Sequence, residues 1–125
     1  MNGTNDKQTN RGGLDWPLNE AALDLLDTLK ITKVQRRTSA GGAWVKGTIA
    51  EHRFNALVFP EHAIDPEHEL AESRISKVWV QRISDRATVA NFDRGWDVRP
   101  TSPIAEQIID VLAAGLADFV YDGVH

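Results

Sequence analysis

Two runs of strand-like composition, Trp44–Ala50 and Arg53–Phe59, stand only two residues apart, joined by Glu51-His52. A link this short fits a tight hairpin and is far too short for the crossover that parallel strands require, although Glu-His is not a strong turn pair. An antiparallel sheet is therefore the frame into which the rest of the chain must fit. Val34–Thr38 has β character and runs into a turn at Ser39-Ala40-Gly41-Gly42. Pro60 closes the second run, because proline cannot donate to a ladder. Strands resume over Ile75–Ile83, turn at Ser84-Asp85-Arg86 and return as Ala87–Phe92. Residues 60–73, rich in Pro and Glu, read as an exposed loop with one helical turn at most. A connection of that length inside a small domain is either functional or mobile.

Helical patterns flank these runs. Leu18, Ala22, Leu25, Leu26 and Leu29 recur at helical spacing after Pro17 or an Asn19 cap. Their period predicts a helix of about 11–13 residues. Near the other end, Thr101 or Ser102 is placed to cap a helix with Pro103 in its first turn and Gly123 past its end. Ile104, Ile108, Val111, Leu112, Leu116 and Phe119 give that helix a wide apolar stripe. Both stripes need cover, and one face of the sheet supplies it. The expected fold is α+β: an antiparallel four- to five-stranded meander sheet with an N-terminal and a C-terminal helix packed on one face. Residues 1–13 are polar and read as a disordered tail, leaving residues 14–125 as a single α+β domain.

Composition narrows the class. With 42% hydrophobic and 26% charged residues, the chain is neither a disordered segment nor a collagen-like repeat. No apolar run approaches the ~18 residues of a spanning helix, and residues 1–13 lack the apolar core of a secretory signal. The absence of cysteine removes disulfides, thiolate metal sites and a Cys nucleophile, and suits a cytoplasmic setting. The net charge of −4 conceals a segregation. Residues 30–59 and 74–100 hold twelve Lys or Arg against four acids, a balance of +8, whereas the remainder stands at −12. A basic sheet face with Trp44, Trp79, Phe92 or Trp96 for stacking would attract nucleic acid, with Arg36, Arg37, Arg82, Arg94 and Arg99 as phosphate contacts. The competing reading has these stems covering the sheet flanks and pairing with acids, and the negative total opposes non-specific binding.

Asn91-Phe92-Asp93-Arg94-Gly95-Trp96-Asp97-Val98-Arg99 is the most distinctive string. Arg94 stands between two carboxylates, Asp93 and Asp97, and could hold an anion bidentately; a small hydrolase at this corner is the enzymatic alternative. The structural reading has Asp and Gly fixing a bulge while Trp96 plugs the space under the helix. His62 and His68 lie among acids in loop 60–73, but their spacing matches no metal motif, so a solvated acidic loop is expected and no metal or cofactor. No serine lies in a nucleophile elbow, and neither a P-loop nor a dinucleotide fingerprint occurs.

Taken together, Trp44-Val45-Lys46-Gly47, Arg74-Ile75-Ser76-Lys77 and Asp93-Arg94-Gly95-Trp96-Asp97 resemble an uncharacterised family of small domains in hypothetical bacterial and mobile-element proteins, over roughly residues 43–115. That resemblance implies no activity. The favoured expectation is a non-enzymatic module that binds a protein partner or itself through the sheet, in one form a mobile-element inhibitor or adaptor. Its motive is a strand apolar on both sides, with Ile75, Trp79 and Ile83 on one face and Val78 and Val80 on the other. The contact residues named for it are Arg94, Asp93, Asp97, Trp96, Arg99, Arg82 and Trp79, with nucleic acid as the alternative partner and no membrane.

Overall fold

A computed structural model describes residues 20–122. The expected tail, Trp16, the helix start at Pro17 or Asn19, and the Gly123 stop lie outside the described residues. The elements are α1 (Glu20–Asp27), β1 (Lys30–Arg36), β2 (Ala43–Ile49), β3 (His52–Val58), a 3₁₀ turn (Pro66–His68), β4 (Ile75–Arg82), β5 (Thr88–Asp93), β6 (Trp96–Val98) and α2 (Pro103–Ala117), followed by a π turn (Asp118–Asp122). All six strands pair antiparallel in chain order, β1-β2-β3-β4-β5-β6. The meander is the expected one with a further strand. β6 escapes a period-two reading because three residues cannot display alternation. What creates it is the chain reversal at Arg94 (φ 54°) and Gly95 (φ 146°), the second a conformation that glycine adopts without a Cβ clash.

The hairpin between β2 and β3 turns one residue earlier than its sequence indicates. Ile49 pairs with His52, so Ala50 and Glu51 form the two-residue loop, with φ of 49° and 63°. Positive φ at both central positions is a type I′ turn, whose twist matches the flanking strands. External bonds hold it: the Ala50 amide donates to Thr28 Oγ1 at 2.8 Å, and the Ile83 amide donates to the Glu51 carbonyl at 3.1 Å. A left-handed conformation costs an L-residue roughly 1–2 kcal/mol, of which glycine's greater unfolded-state entropy takes back about half. Glu51→Gly is therefore expected to stabilise the protein by roughly 0.5–1 kcal/mol, read as a higher urea midpoint at unchanged m-value.

The core lies between the sheet and α2. Val45, Phe54, Val80 and Phe92 from the strands meet Ile108, Leu112 and Leu116 from α2, all buried. Ser102 caps α2 as expected, its Oγ accepting from the Ala105 amide at 3.2 Å, with Pro103 in the first turn. α1 packs against α2. Its expected stripe is only partly buried: Leu25 is in the core, but Leu26 remains 42% exposed.

A register shift between Leu57 and Val58 decides the faces of β4. Val58 pairs with Ile75 and Leu57 with Lys77, leaving Ser76 as an extra residue. Ile75 thereby turns into the core beside Val78 and Val80, while Trp79 stays opposite them between Lys77 and Gln81. The expected apolar set Ile75, Trp79 and Ile83 does not share a face. One side of β4 is apolar, and the other is polar around a single tryptophan.

Candidate functional site

The side of the sheet away from the helices follows from the register. Paired positions share a face, so the partners of Trp44 and Trp79 define it. Its cations are Lys30, Lys33, Lys46, Arg53 and Lys77, against one acid at a paired position, Asp93. Two partly exposed indoles, Trp44 on β2 and Trp79 on β4, stand two strands apart and two residues out of level, about 12 Å between backbones. Gln35, Asn55, Gln81 and Asn91 add carboxamides to the same face. Lys33 sits directly opposite Lys46, an arrangement that destabilises a sheet by itself. Among the described residues, Lys30, Lys33, Lys46 and Arg53 have no carboxylate at ion-pair distance; Lys77 lies 3.7 Å from Asp93.

None of these cations is among the arginines the sequence singled out as contacts. Arg36 pairs with Ala43 on the helix side, donates to the Val120 carbonyl at 3.1 Å and stacks over Tyr121. Arg37 donates from Nε to the Gly41 carbonyl at 2.6 Å, with its guanidinium 5.7 Å from the Phe59 ring. Arg82 lies at the opposite end of the sheet, in a two-point clasp on Asp85 (3.0 and 2.8 Å). Arg99 and Asp97 are exposed near β6. Trp96 belongs to the core side, partly buried and edge-on to Phe92 with ring centroids 5.2 Å apart. Trp79 alone of the seven named contacts lies in the middle of the free face, its Nε1 donating to Thr88 Oγ1 at 3.2 Å. Strand alternation carried the missed signal: Lys46 and Thr48 interleave with buried Val45, Gly47 and Ile49.

The Arg82 clasp, joined by the Ala87 amide, lowers the Asp85 carboxyl to about 2. Its folded-state pKa is below the unfolded one, so the pair adds stability above the unfolded value of about 4. That contribution fades as pH falls from about 4 towards 2. Acid titrations of wild type and Arg82→Gln are expected to show a stability gap at pH 5 that closes in this window.

Asp93 and Arg94 occupy the other end of the sheet, beside a cleft of about 570 Å³. The cleft is bounded by the β1–β2 turn at Gly41, the loop through Pro60 and Ile64, and the β5–β6 turn at Arg94. Arg94 Nε and Lys77 Nζ both approach Asp93 Oδ1, at 3.9 and 3.7 Å, too far for hydrogen bonds. Asp97 joins neither pair, so the Asp93-Arg94-Asp97 corner does not close on itself.

The loop that walls the cleft is not simply a solvated acidic segment. Glu69 turns inward, its side chain 4% exposed, and accepts from the Ala63 amide (2.6 Å), His62 Nδ1 (2.7 Å) and the Arg74 amide (2.8 Å). Burial pushes its carboxyl up. The Ala63 amide, the His62 ring and the Arg74 amide outweigh that effect and hold it below its ordinary value. Arg74 continues the clasp through the Pro60 carbonyl at 2.9 Å and Asp118 at 2.6 Å. Sequence offered no sign of this, because Glu69 looks like its acidic neighbours until three donors converge on it. Among the described residues no three His, Asp or Glu side chains gather where a metal ion could sit, and no helix is long and apolar enough to cross a membrane.

The fold and face define a class: an open antiparallel meander, helix-covered on one side and basic, aromatic and carboxamide-bearing on the other. Residues 43–117 match a family described as a domain of unknown function (DUF7678), and the chain belongs to that family. The match runs from β2 to the end of α2, leaving α1 and β1 outside it. No curated protein and no solved structure matches the chain.

Proposed function

We propose that this protein binds single-stranded nucleic acid across the helix-free face of its sheet. The observation carrying the reading is the five-to-one excess of cations over acids around two partly exposed tryptophans on that face. Backbone phosphates would engage the lysines and Arg53, bases would stack on Trp44 and Trp79, and the carboxamides would meet base edges. A single strand suits a broad surface of this kind, because its unstacked bases can lie on aromatic side chains. The total charge of −4 does not oppose it, since the acids lie mainly outside the sheet segments.

Fluorescence anisotropy of a labelled oligothymidylate tests the reading. With five phosphates engaged, affinity is expected to fall roughly a hundredfold between about 50 and about 200 mM salt. Trp79→Ala is expected to cost roughly tenfold or more, the worth of one stacked base. Flat anisotropy at low salt sinks the reading.

Such a failure leaves a module that docks a protein partner or a second copy, in a mobile-element setting an inhibitor or adaptor of a host complex. The observation favouring that second reading is an apolar groove between α1, β1 and α2, lined by Leu26, Ile31, Leu116 and Phe119.

A further inference from the structure

We propose that the cleft at the Gly41 end of the sheet receives the terminal phosphate of a strand lying on the helix-free face. The proposal rests on the nucleic-acid reading of that face. Cleft and face are continuous: Leu57 and Lys77 occupy face positions and also line the cleft. A strand following the face in this direction meets the Gly41 turn, the Pro60–Ile64 segment and the Arg94 turn, which wall the surface on three sides.

The chemistry of the walls fits a nucleoside monophosphate. Glu69 and Arg74 are fully committed within the protein, Glu69 to its three donors and Arg74 to Pro60 and Asp118, and Arg37 spends its Nε on the Gly41 carbonyl. Lys77 and Arg94 then present cations from β4 and the β5–β6 turn, with the rest of the Arg37 guanidinium facing them from the connection after β1, against Glu61 and the shared Asp93. One carboxylate held at 3.7 and 3.9 Å by two cations is a weak arrangement that a phosphate can displace.

Ser76 is the second sign. The residue lines this cleft, and its Oγ is buried just behind the wall with no hydrogen-bond partner among the described residues, a deficit that a ligand oxygen reaching past the wall would fill. Phe59 and Ile64 supply apolar surface for a sugar or base, and the volume lies within the range of small-ligand sites. A terminal monoester carries about −1.5 to −2 charges near neutral pH. That exceeds the single charge of an internal diester, so three cations favour a strand end over a passing backbone.

The test compares one oligothymidylate bearing a 5′-phosphate, a 3′-phosphate or no phosphate, with free thymidine monophosphate as a fourth arm. One phosphorylated form is expected to bind roughly tenfold more tightly than the unphosphorylated strand, as charge-assisted hydrogen bonds supply. Arg94→Gln is expected to reduce that preference to about twofold or less, and Ser76→Ala to reduce it in part. Equal affinities for all three strands overturn the cleft proposal and leave the face reading intact. If no strand binds, the face reading falls and the free nucleotide decides the cleft. Amide shifts at Gly41, Ser76 and Arg94 that vanish in Arg94→Gln retain it as a nucleotide pocket, and no shifts overturn it.

Discussion

Reversing two charges on the helix-free face, Lys46→Glu with Arg53→Glu, is expected to abolish oligonucleotide binding while leaving the fold at least as stable. On the proposed nucleic-acid reading, each substitution removes a phosphate contact and places a carboxylate where a phosphate would lie. On the affinity scale of counterion release, the pair should cost on the order of a hundredfold or more at low salt. Stability should move the other way. Lys46 faces Lys33 directly across β1 and β2, so a glutamate there exchanges a like-charge pair for an opposite-charge pair. Such cross-strand exchanges are worth roughly 0.2–1 kcal/mol. Anisotropy and a thermal melt on the same sample read both effects. Lost binding with an unchanged or raised midpoint cannot be attributed to unfolding. Retained binding with the reversed face would assign the site elsewhere.

Gly47→Ala is expected to be the most damaging small substitution in the sheet. A Cβ at this position would meet the Lys30 carbonyl oxygen inside van der Waals contact, and the Phe54 ring at 2.9 Å. Neither neighbour can give way easily, since one is backbone and the other is 2% exposed in the core. The close approach arises beside the β1 irregularity between Ile31 and Lys33, where Ile31 pairs with Gly47. Overpacking of this kind costs about 1–3 kcal/mol, and rigid neighbours place this case at the upper end. The corresponding fall in melting temperature is roughly 5–15 °C for a chain of this size. A midpoint within a degree or two of wild type would mean that β1 is not held against β2 at this point. This glycine closes the Trp44-Val45-Lys46-Gly47 string, which gives that position a packing role.

Much of the architecture was readable because it rests on local rules. The Ser102 cap and Pro103 marked the start of α2, and strand-like composition marked β2 and β5. The hairpin was visible from the shortness of its link, although its turn was displaced by one residue. Ala50 and Glu51 are ordinary L-residues in a turn that usually advertises itself with Asn or Gly. The candidate site was much less legible. Basic residues in the strand segments were counted correctly, but the arginines among them mostly serve the structure: Arg36 reaches Val120 and Tyr121, Arg82 clasps Asp85, and Arg74 ties the loop to Asp118.

The division has a physical reason. Sequence determined which segments become helix and strand and where most of them stop, because capping, proline and side-chain period act within a few residues. It also determined that the strands are basic and the flanks acidic. Only the tertiary structure decided which side chains share a surface. A period of two fixes relative faces within one strand, but an extra residue such as Ser76 reverses them, and no local signal announces it. The landing of α2 on Ile75, Val78 and Val80 then left Trp79, Lys77 and Gln81 uncovered together. The inward turn of Glu69 is of the same kind: its position depends on donors from Ala63, His62 and Arg74, which meet only when the loop folds across the end of the sheet.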